Sequence, residues 1–126
     1  MKIAIAGASG YTGLELLRIL QHYKDIEINQ ITSRQYKGKR LKDIFPFFSS
    51  YVKDLVFEDD LDIDSSDFFF LCLPHEPSVE LVKKITDKGK KVIDLSAAYR
   101  IKNFAFYPDY YGFEHKHTDI LEKAVY

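Results

Sequence analysis

The chain has 126 residues, of which 46% are hydrophobic, and a formal net charge of −1. This length suits a single domain, and the near-neutral charge gives no electrostatic case for nucleic acid or an anionic membrane as partner. No apolar run reaches the roughly 20 residues that cross a bilayer. A single cysteine, Cys72, excludes an internal disulfide and fits a reducing compartment. The sequence therefore predicts one cytoplasmic domain.

The first predicted elements are a strand over Lys2–Ala6 and a helix over residues 12–24. The strand is a short apolar run that stops at Gly7. The helix is predicted from an apolar stripe at helical spacing, formed by Leu16, Leu17, Leu20 and Tyr23.

Three glycines, Gly7, Gly10 and Gly13, occupy the turn between this strand and this helix. A helix N-terminus offers unpaired N–H groups and a partial positive charge, which favour an anion. Glycines let the pyrophosphate of a dinucleotide approach the backbone. The alternative is a close-packed turn that binds nothing.

A second strand is predicted over residues 26–33, with Ile26, Ile28 and Ile31 facing inward. Domains that prefer NAD usually carry an acidic residue at the end of this strand, to hold the ribose 2′-hydroxyl. Here Ser33 and Arg34 stand instead, and both can donate hydrogen bonds to a 2′-phosphate. The sequence therefore favours NADP, although Arg34 is also consistent with an ordinary surface arginine.

The middle of the chain is less regular. Residues 34–50 are predicted to form a loop with one helical turn, and residues 51–57 a third strand. Residues 58–67 form an acidic connector, which indicates a solvated loop more than a metal site because the acids lack calcium-loop spacing.

Strands and helices alternate again from residue 68. Residues 68–74 are apolar on both faces, as in a strand covered by helices on both sides. A helix follows, with Pro77 in its first turn and Gly89 at its end, and then a strand over residues 90–96. This rhythm predicts a doubly wound α/β sheet. The last thirty residues break it, with one short helix predicted over residues 118–124.

Four segments together resemble a known family: GASGYTGLELLRIL, ITSR, LCLPHEPSVEL and KGKKVIDLSAAYRIK. The chain is similar over its whole length to N-acetyl-γ-glutamyl-phosphate reductases, which belong to the semialdehyde dehydrogenase group. The resemblance implies a Rossmann-type, mostly parallel sheet with helices on both faces over residues 1–126, and NADP(H) as cofactor. It also implies reduction of N-acetyl-glutamyl 5-phosphate to the semialdehyde with release of phosphate, in arginine biosynthesis. The full-length enzyme is expected to be a homo-oligomer.

Other functions stay open at this point. A semialdehyde dehydrogenase acting on an aspartyl or aminoadipyl phosphate shares much of the pattern, and a stand-alone NADP-sensing module is a third possibility.

The resemblance also assigns candidate site residues. Those expected at the pyrophosphate are Gly7, Ser9, Gly10, Tyr11, Thr12 and Gly13, and those at the 2′-phosphate are Ser33 and Arg34. The nicotinamide side is expected to be walled by Leu73, Pro74 and His75. Ser96 is expected to contact the cofactor at the border of the crevice, and Arg100 to meet an anionic substrate or cofactor group. Relatives often have Asp at Ala98 and Trp at Tyr110, so the chain departs from the pattern there.

The family's nucleophilic cysteine and catalytic histidine are expected beyond residue 126. The chain is therefore predicted to be a cofactor-binding fragment without the catalytic and dimerisation domain. Cys72, within an apolar strand, is predicted to pack in the core. His115 and His117 lack further ligands at recognisable spacing, so no metal is predicted. Residues 104–113, rich in aromatic side chains, are predicted to mediate weak self-association.

Overall fold

Within residues 1–48 and 54–126, which a computed structural model describes, five parallel strands form one sheet. The strands are β1 (Lys2–Ala6), β2 (Glu27–Thr32), β3 (Phe57–Glu58), β4 (Phe68–Leu71) and β5 (Lys91–Asp94). Their order is β3-β2-β1-β4-β5, and each neighbouring pair is parallel. The predicted doubly wound, Rossmann-type fold is confirmed.

Helices cover both faces of this sheet. They are α1 (Tyr11–Leu20), α2 (Leu41–Ile44), α3 (His75–Asp87), α4 (Tyr107–Tyr111) and α5 (Thr118–Lys123). One buried cluster joins the sheet to α1 and α2 through Ile3, Ile5, Ala8, Leu17, Ile28, Ile31, Leu41, Phe48, Leu55 and Phe57. A second joins it to the other three helices through Ala4, Ala6, Phe69, Leu71, Val79, Val82, Ile85, Ala98, Tyr99, Tyr107 and Leu121.

Strand β4 contributes to both clusters, as its sequence predicts. Phe69 and Leu71 are fully buried on the α3 side, whereas Phe68 and Phe70 pack against the cluster beneath α1. The helix predicted after it is α3, and Gly89 follows its end with a φ of 68°. A positive φ costs glycine little, so Gly89 suits the end of a helix.

Strand β2 carries an irregularity that explains its pattern of burial. Ile3 pairs with Ile28, but the next residue of β1, Ala4, pairs with Gln30. The extra residue, Asn29, therefore shifts the register, and such a bulge lets Ile28 and Ile31 face the same side although they are three apart. The prediction that both face inward is confirmed.

Helix α1 is shorter than predicted. The sequence pattern extends to residue 24, but the helix ends at Leu20 and Tyr23 is 60% exposed. The amides of His22 and Tyr23 donate to carbonyls three residues back, at Ile19 and Leu20. These tighter bonds close the helix in a 3₁₀-like turn, so Tyr23 leaves the predicted stripe.

The third strand is also shorter than predicted. Residues 51–53 of the predicted strand lie outside the described residues, and β3 is only Phe57–Glu58. Residues 54–56 do not belong to it, because Val56 forms an antiparallel bridge with Arg40 and the Leu55 carbonyl accepts from the Leu41 amide. Leu55 and Val56 therefore pair with Leu41 and Arg40 at the start of α2 instead of extending β3. The helical turn predicted in that loop is α2.

The C-terminal segment contains one helix that was predicted, α5, and one that was not, α4. Tyr107 begins α4 and is fully buried, and its hydroxyl accepts a hydrogen bond from the Ile101 amide at 3.1 Å. Phe104, Phe106 and Tyr110 are about half exposed or more. The predicted self-association through these side chains stays a prediction. In the part of the chain that the structure describes, no helix is long and apolar enough to cross a bilayer.

Candidate functional site

The segments that carry most of the predicted site residues leave the sheet at one edge. Ile5 pairs with Ile31, and Leu71 pairs with both Ala6 and Asp94, so the carboxyl ends of β1, β2, β4 and β5 lie side by side. The strand order reverses between β1 and β4. In open α/β sheets, ligands bind outside the carboxyl ends at such a switch point.

Two glycines of the turn after β1 are required by the protein's own backbone. Gly7 has a φ of 73°, and a Cβ on it would lie 2.4 Å from the carbonyl oxygen of Cys72. A Cβ on Gly13 would lie 2.6 Å from the Gly7 carbonyl oxygen and from Ala8 Cα. Close packing of the turn therefore requires glycine at these two positions.

Gly10 differs, because no atom of the described protein requires a glycine there. Its φ is −77°, and a Cβ would have only the Gly7 carbonyl oxygen within 4 Å, at an ordinary 3.6 Å. Gly10 is exposed and precedes α1, whose N-terminus has no side-chain cap and no acidic residue in its first turn. Tyr11 is 97% exposed and Thr12 is exposed. An open, uncapped helix N-terminus behind a glycine fits the pyrophosphate of a dinucleotide.

The end of β2 holds this turn in place. The Gly7 amide donates to Thr32 Oγ1 at 3.2 Å, and the Ala8 amide donates to the Thr32 carbonyl at 3.0 Å. One further bond joins Ser9 Oγ to Ser33 Oγ at 2.7 Å. The sequence analysis missed Thr32. Its position in the sequence could have indicated it. Thr32 is a hydroxyl residue at the end of a strand that neighbours the glycine turn, and the amides of such a turn need hydrogen-bond acceptors.

Ser33 and Arg34 are adjacent in sequence but have different surroundings. Ser33 is 5% exposed, and its Oγ accepts from the Tyr36 amide at 3.2 Å. Arg34 is exposed, and within residues 1–48 and 54–126 it has no carboxylate partner. By contrast, Lys37 on the same loop pairs with Asp59 at 2.6 Å. The charge of Arg34 is thus available to a ligand.

Leu73, Pro74 and His75 connect β4 to α3 beside the glycine turn. A Cβ on Gly7 would lie 3.0 Å from Leu73 Cδ2, and Pro74 is the N-cap of α3. His75 Nδ1 accepts from the Ala97 amide at 3.1 Å, so the neutral ring carries its proton on Nε2. This places a hydrogen-bond donor of fixed tautomer on the segment predicted to wall the nicotinamide.

Ser96 and Arg100 lie towards β5. Ser96 Oγ donates to Asp94 at 2.8 Å and accepts from the Ala98 amide at 3.0 Å, which closes a compact turn. The Arg100 guanidinium lies over the ring of Tyr126, 5.2 Å from its centroid. Both residues line a cavity of about 690 Å³ that runs along β5 and α5 and includes no residue of the described glycine turn, 7–13. The structure therefore brings Ser96 and Arg100 to one cavity.

Cys72 and the histidine pair, His115 and His117, are packed against other residues of the domain. Burial raises the pKa of the Cys72 thiol to about 11, with a smaller contribution from the charge of Asp94. His115 is buried with its ring against Tyr99 and Tyr107, and its Nδ1 accepts from the His117 amide. Among the described residues, no three or more His, Cys, Asp and Glu side chains form a metal-binding group.

The sequence matches the family model for the NAD-binding domain of semialdehyde dehydrogenase over residues 2–126. The chain belongs to this family. Two relatives of this semialdehyde dehydrogenase domain are each 45% identical to it over the whole chain. One is N-acetyl-gamma-glutamyl-phosphate reductase from Aquifex aeolicus, and the other is LysW-L-2-aminoadipate/LysW-L-glutamate phosphate reductase from Sulfurisphaera tokodaii. The chain spans only 37% of the length of each.

Solved structures show the same fold. Aspartate semialdehyde dehydrogenase from Candida albicans, determined with NADP, matches with a TM-score of 0.64 at 21% identity, over 79% of this chain and 30% of that one. Aspartate semialdehyde dehydrogenase II from Vibrio cholerae matches with a TM-score of 0.64 at 19% identity, over 82% of this chain and 33% of that one. This chain therefore has the same architecture as the matching part of each of these two enzymes.

Proposed function

We propose that this chain is the NADP-binding part of an N-acetyl-γ-glutamyl-phosphate reductase, which reduces N-acetyl-glutamyl 5-phosphate to the 5-semialdehyde and releases phosphate. The observation that carries the nucleotide site is the uncapped N-terminus of α1 behind Gly10, together with an Arg34 side chain that has no carboxylate partner in the described chain. The reaction is supported by the relative from Aquifex aeolicus.

Three parts of the nucleotide have candidate partners in this arrangement: the pyrophosphate, the 2′-phosphate and the nicotinamide. The first-turn amides of α1, with Ser9, Tyr11 and Thr12, would hold the pyrophosphate. Arg34 would pair with the 2′-phosphate, since a guanidinium matches a phosphate in geometry and charge. A hydrogen bond to a charged group contributes about 1.5–3 kcal/mol, so Arg34 is expected to favour NADP over NAD by about 10- to 100-fold.

The nicotinamide would then lie beside Leu73, Pro74 and His75, at the switch point between β1 and β4. When bound, NADPH supplies a hydride. The residues of this chain would hold and orient the ring, and His75 Nε2–H is a donor suited to a carboxamide oxygen. Ser96 would border the crevice, and Arg100 would attract the anionic substrate. The nucleophilic cysteine and the acid–base histidine of the reaction are expected outside residues 1–126.

Calorimetric titration of the 126-residue chain with NADP⁺ and with NAD⁺ tests the nucleotide site. Arg34→Gln should weaken NADP⁺ binding about 10- to 100-fold and leave NAD⁺ binding unchanged. Lys39→Gln is the matched control, because it removes an exposed positive charge from the same loop. It should change neither affinity by more than about threefold. Absence of binding to either nucleotide, or an equal loss of both in Arg34→Gln, would contradict the proposal.

A second candidate is a phosphate reductase that acts on aminoadipate or glutamate attached to a carrier protein. The relative from Sulfurisphaera tokodaii favours it, because its identity to this chain is also 45%. Reductase assays of the full-length gene product with N-acetyl-glutamyl phosphate and with the carrier-linked phosphate would separate the two. Turnover of the carrier-linked phosphate alone would reject the first candidate.

A further inference from the structure

We propose that Ser33 is a positioning residue that acts through Ser9, and that the hydroxyl presented to the nucleotide pyrophosphate is that of Ser9. This inference rests on the proposed nucleotide site and changes the role of one residue within it. The resemblance to the family implies that Ser33 contacts the 2′-phosphate directly, whereas the geometry points to a relay from Ser33 to Ser9.

The Ser33 side chain is enclosed by the protein. It is 5% exposed, its Oγ accepts from the Tyr36 amide at 3.2 Å, and it lies 2.7 Å from Ser9 Oγ. The Ser33 amide donates to the Glu58 carbonyl at 3.0 Å, which fixes the backbone as well. Ser33 is therefore held between β3, the following loop and the glycine turn, with little surface left for a ligand.

The direction of the Ser9–Ser33 hydrogen bond follows from burial. Either hydroxyl can be the donor by distance alone. If Ser9 donated, the proton of the buried Ser33 hydroxyl would need a second acceptor, and a buried donor without one is costly. If Ser33 donates, its proton is satisfied by Ser9, and the proton of the half-buried Ser9 hydroxyl is free to bond outward.

A free proton on Ser9 suits a phosphate. Ionised phosphate oxygens only accept hydrogen bonds, so they need donors around them. Ser9 immediately precedes Gly10, at the open N-terminus of α1, where the proposed pyrophosphate lies. Ser33 thus orients the Ser9 hydroxyl towards this group without touching it.

The turn itself does not depend on this bond. Thr32 also joins β2 to the turn, through its hydroxyl to the Gly7 amide and its carbonyl to the Ala8 amide. Removing the Ser33 hydroxyl should therefore leave the turn folded while releasing the orientation of Ser9.

The test is a double-mutant cycle with Ser9→Ala, Ser33→Ala and the double variant, titrated with NADP⁺ and with NAD⁺. Ser9→Ala should weaken both nucleotides by about 10-fold, the loss of one hydrogen bond to a charged group. Ser33→Ala should weaken both by the same factor as each other, so that the ratio of the two affinities is unchanged. The double variant should be no weaker than Ser9→Ala alone, and Ser33→Thr, which keeps the hydroxyl, should restore binding.

Four results would overturn the relay. They are unchanged affinities in Ser33→Ala, a selective loss of NADP⁺ binding in Ser33→Ala, a double variant whose loss of affinity is the product of the two single losses, and unchanged affinities in Ser9→Ala. The last needs no variant of the buried serine, so it decides even if Ser33→Ala does not fold. Failure of the proposed function is a different result, in which the unaltered chain binds neither nucleotide.

Discussion

Substitution of alanine for Gly10 and for Gly13 should have opposite consequences, although both glycines belong to one turn. A Cβ added at position 10 would have its nearest neighbour at 3.6 Å, an ordinary contact, and the φ of −77° suits alanine. A Cβ added at position 13 would lie 2.6 to 2.8 Å from three backbone atoms, the Gly7 carbonyl oxygen and the Cα and carbonyl carbon of Ala8. Backbone atoms at that distance must move.

The expected sizes follow from these distances. Overpacking costs typically about 1–3 kcal/mol, and three backbone overlaps place Gly13→Ala at about 3 kcal/mol. Better helix propensity offsets about 1 kcal/mol, which leaves a net loss of about 2 kcal/mol. For Gly10→Ala, a slightly poorer helix N-cap and a stiffer unfolded chain nearly cancel, so stability should stay within about 1 kcal/mol. Its methyl group would instead keep the pyrophosphate from the amides, which should weaken NADP⁺ binding about 10- to 100-fold.

Urea unfolding and calorimetric titration of the two variants measure these effects. Gly13→Ala should lower the urea midpoint by roughly 1–2 M, and Gly10→Ala should leave it nearly unchanged. The assignment of Gly10 to the ligand would be refuted if Gly10→Ala bound NADP⁺ as tightly as the unaltered chain. A midpoint for Gly13→Ala equal to that of the unaltered chain would refute the packing argument.

Three other predictions concern the core. With a thiol pKa of about 11, roughly one Cys72 in a thousand is ionised at pH 8. Iodoacetamide should therefore label the folded chain far more slowly than the chain unfolded in urea. Equal labelling rates would contradict this prediction. Burial lowers the pKa of His115 below its usual 6.5, so the unfolded state takes up a proton first as pH falls. Stability should therefore decrease below about pH 6.5. In His115→Gln, the urea midpoint should fall less between pH 7 and pH 5 than it does in the unaltered chain. An equal fall in the two proteins would count against the buried neutral ring. Tyr99→Phe removes the 2.9 Å hydrogen bond to the Val79 carbonyl and should cost about 1 kcal/mol in urea unfolding, whereas an unchanged midpoint would show that this bond is energetically neutral.

The sequence predicts the sheet better than it predicts its surroundings. Strands β1 and β4 are recognisable because burial on one or both faces requires apolar residues at fixed positions. Helix α4 was missed, since its start depends on Tyr107, whose hydroxyl meets the Ile101 amide only in the folded chain. Residues 54–56 likewise have the pattern of a strand, but Leu55 and Val56 pair with Leu41 and Arg40 at the start of α2. Such contacts are set by tertiary neighbours rather than by local pattern.

The glycine turn shows the same limit at the site. Spacing predicts the turn, but it does not distinguish a glycine that admits a ligand from one that admits the protein's own backbone. The backbone of the protein requires Gly7 and Gly13, whereas at Gly10 a Cβ would meet no protein atom closer than 3.6 Å. Similarly, the residue types of Ser33 and Arg34 predict phosphate donors, whereas the burial of Ser33 beside Ser9 is visible only in three dimensions.

The contact between Gly7 and Cys72 has a consequence for how freely this sequence can vary. A side chain at position 7 would meet the carbonyl oxygen of residue 72, an atom that every amino acid possesses. No exchange of Cys72 could therefore compensate for a larger residue at position 7. Libraries that randomise both positions should recover glycine at the first and a range of small apolar residues at the second. The two positions touch, yet their identities should be statistically independent.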